Sequence, residues 1–220
     1  MARTYTAAKA LSVLQTQFPR LDQSPFSAQL VDEVVSEIWN AYDWRQAIVE
    51  LPPFYLVPDE QDYRAPTSAV PTDFLSLREA WVRDVDGVSF VPLSVRGNLP
   101  LATTIGFPDS ISYESELAGF RVHPRPSASM SSTRYQIEGS YKKIHKKFVI
   151  ENLNSEILPW DDAYFPTFKK VLLWKYYETM SDPRVLQQQF LATQGIDQMA
   201  ARESVGGVDA VAPSDALMLW

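Results

Sequence analysis

Apolar residues recur at helical spacing near both ends of the chain and at strand spacing in between. In Thr6–Gln17, Ala7, Ala10, Leu11 and Leu14 fall on one face, and Thr6 is placed to cap the first turn. Phe18-Pro19 ends that element. The clearest helix follows, with Leu30, Val31, Val34, Val35, Ile38, Trp39 and Tyr42 forming one wide stripe. Ser27 is the expected N-cap, Asp32 and Glu33 lie near the positive end, and the helix stops near Asp43-Trp44. A third helix is expected after Pro159, with Pro166 in its first turn. Its residues Phe168, Val171, Leu172, Leu173, Trp174, Tyr176, Tyr177 and Met180 are apolar almost all round, which predicts burial by its own domain or by a neighbour. Ser181-Asp182-Pro183 ends it and opens a fourth helix over 183–204, with Gly195 as a place for a bend.

From 48 to 142 prolines interrupt every stretch long enough for a helix. Short strand-like runs remain at Ile48–Val57, Phe74–Asp84, Val88–Val95, Ile111–Tyr113, Gly119–His123 and Arg134–Tyr141. Asp86-Gly87 is a hairpin signal, and 96–110 reads as a long loop. The expected fold class is α+β: a helical bundle of two N-terminal and two C-terminal helices, a central β-rich insert and an extended C-terminal tail. The expected divisions are N-terminal helices 1–46, insert 47–150, C-terminal helices 151–204 and tail 205–220.

Composition narrows the chemistry. The 220 residues include no cysteine, which excludes disulfides, thiol catalysis and the usual structural zinc sites, and the two histidines are His123 and His145. A net charge of -7 disfavours broad affinity for nucleic acid or anionic membranes. The charge is uneven: Arg121–Lys147 carries +6, which leaves -13 for the rest. Within that basic stretch Lys142, Lys143, Lys146 and Lys147 are flanked by Tyr141 and Phe148. They read either as lysines protecting a sheet edge or as a contact for a partner or a phosphate backbone. The first residues lack an apolar leader core, and apolar runs such as Val171–Trp174 are too short to span a bilayer, so no membrane role is expected and the default setting is the cytoplasm or a particle assembled there. The end of the chain, Ala216-Leu217-Met218-Leu219-Trp220, is apolar on a tail that starts at Gly206-Gly207. It docks either on a partner or on its own body.

The common nucleotide, esterase and metalloprotease signatures are absent. Asp161-Asp162 reads as a helix cap. Glu114 and Glu116, two apart on a strand, are the carboxylates an unusual hydrolase would use, although a solvated face explains them as well. His145 sits among lysines that favour its neutral form, and His123 reads as a strand-end residue. No catalytic residue, metal ligand or cofactor is expected, and the chain reads as a non-enzyme.

In order along the chain, several segments form one layout. They are Ile38-Trp39-Asn40-Ala41-Tyr42-Asp43-Trp44, then Val70-Pro71-Thr72-Asp73-Phe74-Leu75-Ser76-Leu77, Asp86-Gly87 with Pro92-Leu93, and Gly106-Phe107-Pro108. Val122-His123-Pro124-Arg125-Pro126, Tyr135–Tyr141, and Ile157-Leu158-Pro159 with Tyr164 complete it. Over about residues 6–180 this layout resembles the head-to-tail adaptor (connector, or neck) proteins of tailed bacteriophages. Two departures stand out: the tyrosine after the glycine-x-proline is displaced to Tyr113, and the tail matches no pattern.

The resemblance implies a structural virion protein that forms a homo-oligomeric ring, generally a dodecamer, beneath the portal. Its partners would be the portal protein, a tail or tail-nozzle protein and further copies of itself. DNA would pass through the channel during ejection without sequence-specific binding. Portal binding would fall to Ala216, Leu217, Met218, Leu219 and Trp220, and subunit contact to Leu173, Trp174, Tyr177 and Met180. The rival class is a carbohydrate- or host-surface-binding module using aromatics of the β-rich insert.

Overall fold

The computed structural model describes residues 3–15, 25–64, 70–87 and 89–205. They divide into two compact units: the residues up to Gln46 together with those from His145 on, and Ala47–Ile144.

The first unit is helical. Helix α1 (Ala7–Gln15) is capped as its sequence predicts, since the Lys9 amide donates to Thr6 Oγ1 at 3.3 Å. Helix α2 (Pro25–Ala41) starts earlier than Ser27, which is buried within it and is not its cap. Proline suits that first position because its missing N–H has no intrahelical partner there. The stripe Leu30, Val31, Val34, Val35, Ile38 and Trp39 is buried. Where α2 ends, the Trp44 indole N–H donates to the Ile38 carbonyl at 2.6 Å. Trp44 and Trp39 both meet Trp160 edge-on, with centroids 6.2 Å apart in each case.

Helix α3 (Phe165–Thr179) packs against α2, α1 and helix α4 (Val185–Val205), which explains why it is apolar on nearly every side. Its end is a Schellman turn. Ser181 has φ 51°, its N–H donates to the Glu178 carbonyl, and the Asp182 N–H donates to Tyr177. Helix α4 continues through Gly195. A Cβ there would lie 3.0 Å from Thr167 Cγ2, so the glycine serves the close approach of α3 and α4. The expected cap at Asp161-Asp162 is also replaced: neither side chain caps the following turn. Asp162 instead accepts hydrogen bonds from the Thr4 and Tyr5 amides and the Thr4 hydroxyl, tying down the N-terminal segment.

The second unit contains strands β1 (Ile48–Tyr55), β2 (Asp62–Tyr63), β3 (Phe74–Asp84), β4 (Phe90–Arg96), β5 (Ile105–Gly106), β6 (Ser110–Glu114), β7 (Gly119–His123), β8 (Arg125–Pro126) and β9 (Tyr135–Lys143). Seven form one mixed sheet in the order β1-β9-β3-β4-β6-β7-β2, and β5 pairs with β8. Within the large sheet only β4 and β6 run parallel. The first half of β4 pairs with β3 (Arg83↔Phe90 to Ala80↔Leu93) and the second half with β6 (Ser94↔Ser110 to Arg96↔Ser112). This handover curls the sheet around Phe54, Phe74, Phe120, Val122, Ile137 and Tyr141. Gly139 lies where β3 is bulged, and a Cβ there would run into the Glu79 carbonyl.

A helical bundle carrying a small β-rich insert is therefore not the fold. The dominant architecture is a curled seven-stranded mixed sheet, with four α-helices among the described residues. Pro52 and Pro53, inside the expected run Ile48–Val57, occupy a register shift in the edge strand β1, where a missing N–H costs no ladder bond. The strands lie close to the expected runs, with β3 and β7 matching them and β1 ending at Tyr55; the difference is in how they join. Their pairings, such as β1 with β9, join segments far apart in sequence and leave no local trace.

Candidate interaction surfaces

The lysine run crosses from one unit into the other. Lys142 and Lys143 close β9, which lies between β1 and β3, so they do not guard a sheet edge. Lys142 is buried (3% exposed) and Lys143 half-buried. Lys146 and Lys147 are the exposed pair, and Lys146 Nζ is bound to the Glu156 carboxylate. Continuous spacing in sequence therefore does not yield a four-lysine phosphate contact.

His145, beside those lysines, is held by α2. Its Nε2 lies 2.7 Å from Ser36 Oγ, its Nδ1 3.0 Å from the Lys146 carbonyl and 3.9 Å from Asp32 Oδ1, and its ring is edge-on to Trp39. Asp32 also accepts the Phe148 amide at 2.8 Å. The grouping superficially resembles a nucleophile, a base and an orienting acid. Ser36, whose Oγ also donates to the Asp32 carbonyl at 2.8 Å, lines a groove of about 450 Å³ with Glu33, Glu37, Asn40, Ala41 and Lys175. Acyl transfer would need donors for an oxyanion, but Glu33 and Glu37 oppose a developing negative charge. The Lys175 ammonium is already bound to Glu37 at 2.9 Å and Glu178 at 3.2 Å. Burial opposes that ammonium, yet these two carboxylates outweigh it and raise its pKa. The cluster instead fastens the segment after β9 onto α2.

Glu114 and Glu116 do not act together. Glu116 is exposed in the turn after β6, whereas Glu114 Oε1 accepts hydrogen bonds from the Leu99 amide and Ser112 Oγ. Glu114 belongs to a set of straps that the sequence reading missed. Gln61 is buried; its Nε2 donates to the Pro100 carbonyl at 3.0 Å and its Oε1 accepts the Ala102 amide at 2.9 Å. Arg121 donates to the Leu99 carbonyl at 3.1 Å while its Nε and Nη2 grip both Asp62 oxygens. That hydrogen-bonded pair with Asp62 raises the Arg121 pKa. The long loop read over 96–110 is thus fixed to the sheet. Isolated polar residues at irregular spacing gave no periodic signal of this.

His123 lies half-buried at the end of β7 as expected, 3.5 Å from Thr104 Oγ1. Of the four apolar residues expected at a subunit contact, Trp174 and Tyr177 are buried within the helical unit and Leu173 is half-buried, while Met180 is open. Lys175 Nζ lies over the Trp174 ring and Arg184 over Tyr177. Among the described residues, the most open large apolar side chains are Leu101, Leu186 and Phe190. The expected portal-binding residues Ala216–Trp220 lie outside the described residues.

Among the described residues, no three His, Asp or Glu side chains converge on a metal-sized site, and no helix is long and apolar enough to cross a membrane. No protein-family model matches the chain, and no curated protein matches it.

Proposed function

We propose that this chain is a structural head-to-tail adaptor of a tailed bacteriophage, forming a ring beneath the portal through which DNA leaves the capsid. The observation that carries the reading is the combination of the ordered segment layout with large apolar side chains left open on both units, Leu101 and Phe90 on one and Leu186 and Phe190 on the other. Such side chains gain most from burial against other subunits. Net acidity supports it further, because a wall that repels phosphates does not grip moving DNA. Co-expression with the portal protein of the same virus, followed by particle imaging, tests the proposal. A ring coaxial with the portal is expected; free monomers beside bare portals would refute it.

A second reading, recognition of carbohydrate, rests on one row of side chains on the outer face of the sheet. The register aligns Tyr55, Gln136, Arg83 and Phe90 across β1, β9, β3 and β4, with Tyr55 43% and Phe90 55% exposed. In the next row Trp81 Nε1 donates to Glu138 Oε2 at 3.1 Å. Two rings flanking a pair of hydrogen-bonding groups suit a saccharide face. Titration with oligosaccharides, watching Trp81 fluorescence, is its test.

A further inference from the structure

On the outer face of the sheet, the register sets Tyr55, Gln136, Arg83 and Phe90 in one line, one residue from each of β1, β9, β3 and β4. Neighbouring strands are spaced by about 4.8 Å, so the line runs about 14 Å from Tyr55 to Phe90. The rings at its two ends are the open ones, Tyr55 at 43% and Phe90 at 55%. On the opposite face of the same strands Phe54, Ile137 and Val82 are buried in the core, and that burial pins the register of the line.

The polar groups beside the rings are held and mutually neutralised. Arg83 Nη1 donates to Glu138 Oε1 at 3.0 Å, and Trp81 Nε1 donates to Glu138 Oε2 at 3.1 Å. The Arg83 guanidinium also stands over the Phe90 ring, with Cζ 5.8 Å from its centroid. The half-buried Gln136 amide has no side-chain partner among the described residues, and it offers a ligand both a donor and an acceptor. A platform fixed in this way loses little freedom when a ligand docks.

This chemistry selects among occupants. A nucleic-acid strand or an acidic sugar needs surplus cations, and Arg83, the cation of the line, is already bound to Glu138. A proline-rich peptide would stack on the rings, yet its prolines have no N–H to give Gln136 or Glu138. Sugar hydroxyls both donate and accept without charge, and the C–H face of a pyranose packs on an aromatic ring. One pyranose unit is also about as long as one strand spacing.

We propose that this line binds a neutral, extended glycan of the β-1,4-linked kind, about four sugars long and lying across the strands. Its end units stack on Tyr55 and Phe90, and its inner units meet Gln136 and Arg83. The inference rests on the carbohydrate reading above and adds the charge, length and direction of the ligand.

Calorimetric titration of the full chain tests it. Cellotetraose, mannotetraose and chitotetraose are each compared with their disaccharides, and tetragalacturonate, maltotetraose and decaproline serve as controls. At least one of the three neutral tetrasaccharides is expected to bind about tenfold more tightly than its disaccharide. Tyr55→Ala and Phe90→Ala, both at open positions, should each remove that advantage, and Tyr55→Phe should keep it. Equal affinity for the two lengths, or an advantage that survives both alanine variants, would overturn the line as the binding element. Preference for tetragalacturonate or maltotetraose would overturn the neutral, extended ligand and leave the carbohydrate reading intact. Binding of decaproline alone, or of no probe at millimolar concentration, would overturn both.

Discussion

The two units are held together by different means. In the helical unit, apolar packing does most of the work, along the α2 stripe and between distant segments in the Trp39–Trp160–Trp44 cluster and in Tyr5 stacked on Phe165 at 4.3 Å. In the sheet unit, an aromatic core around Phe120 is supplemented by polar straps between distant segments. These are Arg121–Asp62, Arg134–Asp84 and the two hydrogen bonds of Gln61. The Arg134 guanidinium holds the Asp84 carboxyl below its ordinary range. The contrast teaches that helices close their own backbone bonds and keep polar ties for the segments that flank them, as Asp162 does for Thr4 and Tyr5, whereas a curled sheet with long connections must fasten its loops one by one.

Trp44→Ala should produce the largest effect. It removes a fully buried indole and its bond to Ile38, and should cost about 3–5 kcal/mol in denaturant unfolding. Gly139→Ala should follow at about 3 kcal/mol, because its Cβ meets the rigid Glu79 backbone. The matching change in the helical unit, Gly195→Ala, meets the movable Thr167 side chain and should cost about 1 kcal/mol. Equal losses at the two glycines would break the contrast between units. Gln61→Ala leaves a buried amide and carbonyl unpaired, about 1–3 kcal/mol locally, and should speed hydrogen exchange at Ala102 without altering the helices.

Titration probes both units at once. Burial, with a hydrogen bond to Asp197, raises Tyr42 to about 12, and burial with a bond to Asp73 does the same for Tyr141. Because the unfolded phenol ionises near pH 10, the stability these groups contribute is complete below that pH and is lost as pH rises from about 10 to 12. Phenolate absorbance should show both groups titrating late, and Asp197→Asn should move Tyr42 down while leaving Tyr141 in place. Ser181→Gly should give the smallest change, a gain of about 0.5–1 kcal/mol in unfolding experiments, by relieving a left-handed residue at the end of α3.

Much of the local structure was legible in advance. The α2 stripe is buried from Leu30 to Trp39 as its spacing predicts, with Tyr42 past the helix end and half-buried; β3 and β7 occupy the ranges Phe74–Asp84 and Gly119–His123 read from the chain, and Asp86-Gly87 joins antiparallel β3 and β4. The errors share a cause. Lys142 looked exposed because lysine usually is, yet it is buried in β9, a strand paired on both sides. Asp162 looked like a cap because the next turn begins beside it, yet its partners Thr4 and Tyr5 are far away in sequence. Gln61, Glu114 and Arg121 acquire their roles only when the connection around Leu99 folds back over them.

The amino-acid sequence by itself determined where along the chain most helices and strands lie, to within a few residues at their ends, because periodicity and prolines act over a few residues. It also determined the acidic balance and the absence of thiol chemistry. Tertiary structure alone decided that the middle of the chain is a curled seven-stranded sheet, which lysines are covered, and which apolar side chains remain open for a partner. Those outcomes depend on contacts between segments tens of residues apart. Their energies come from which neighbours exclude water and satisfy backbone groups, and no local pattern encodes that.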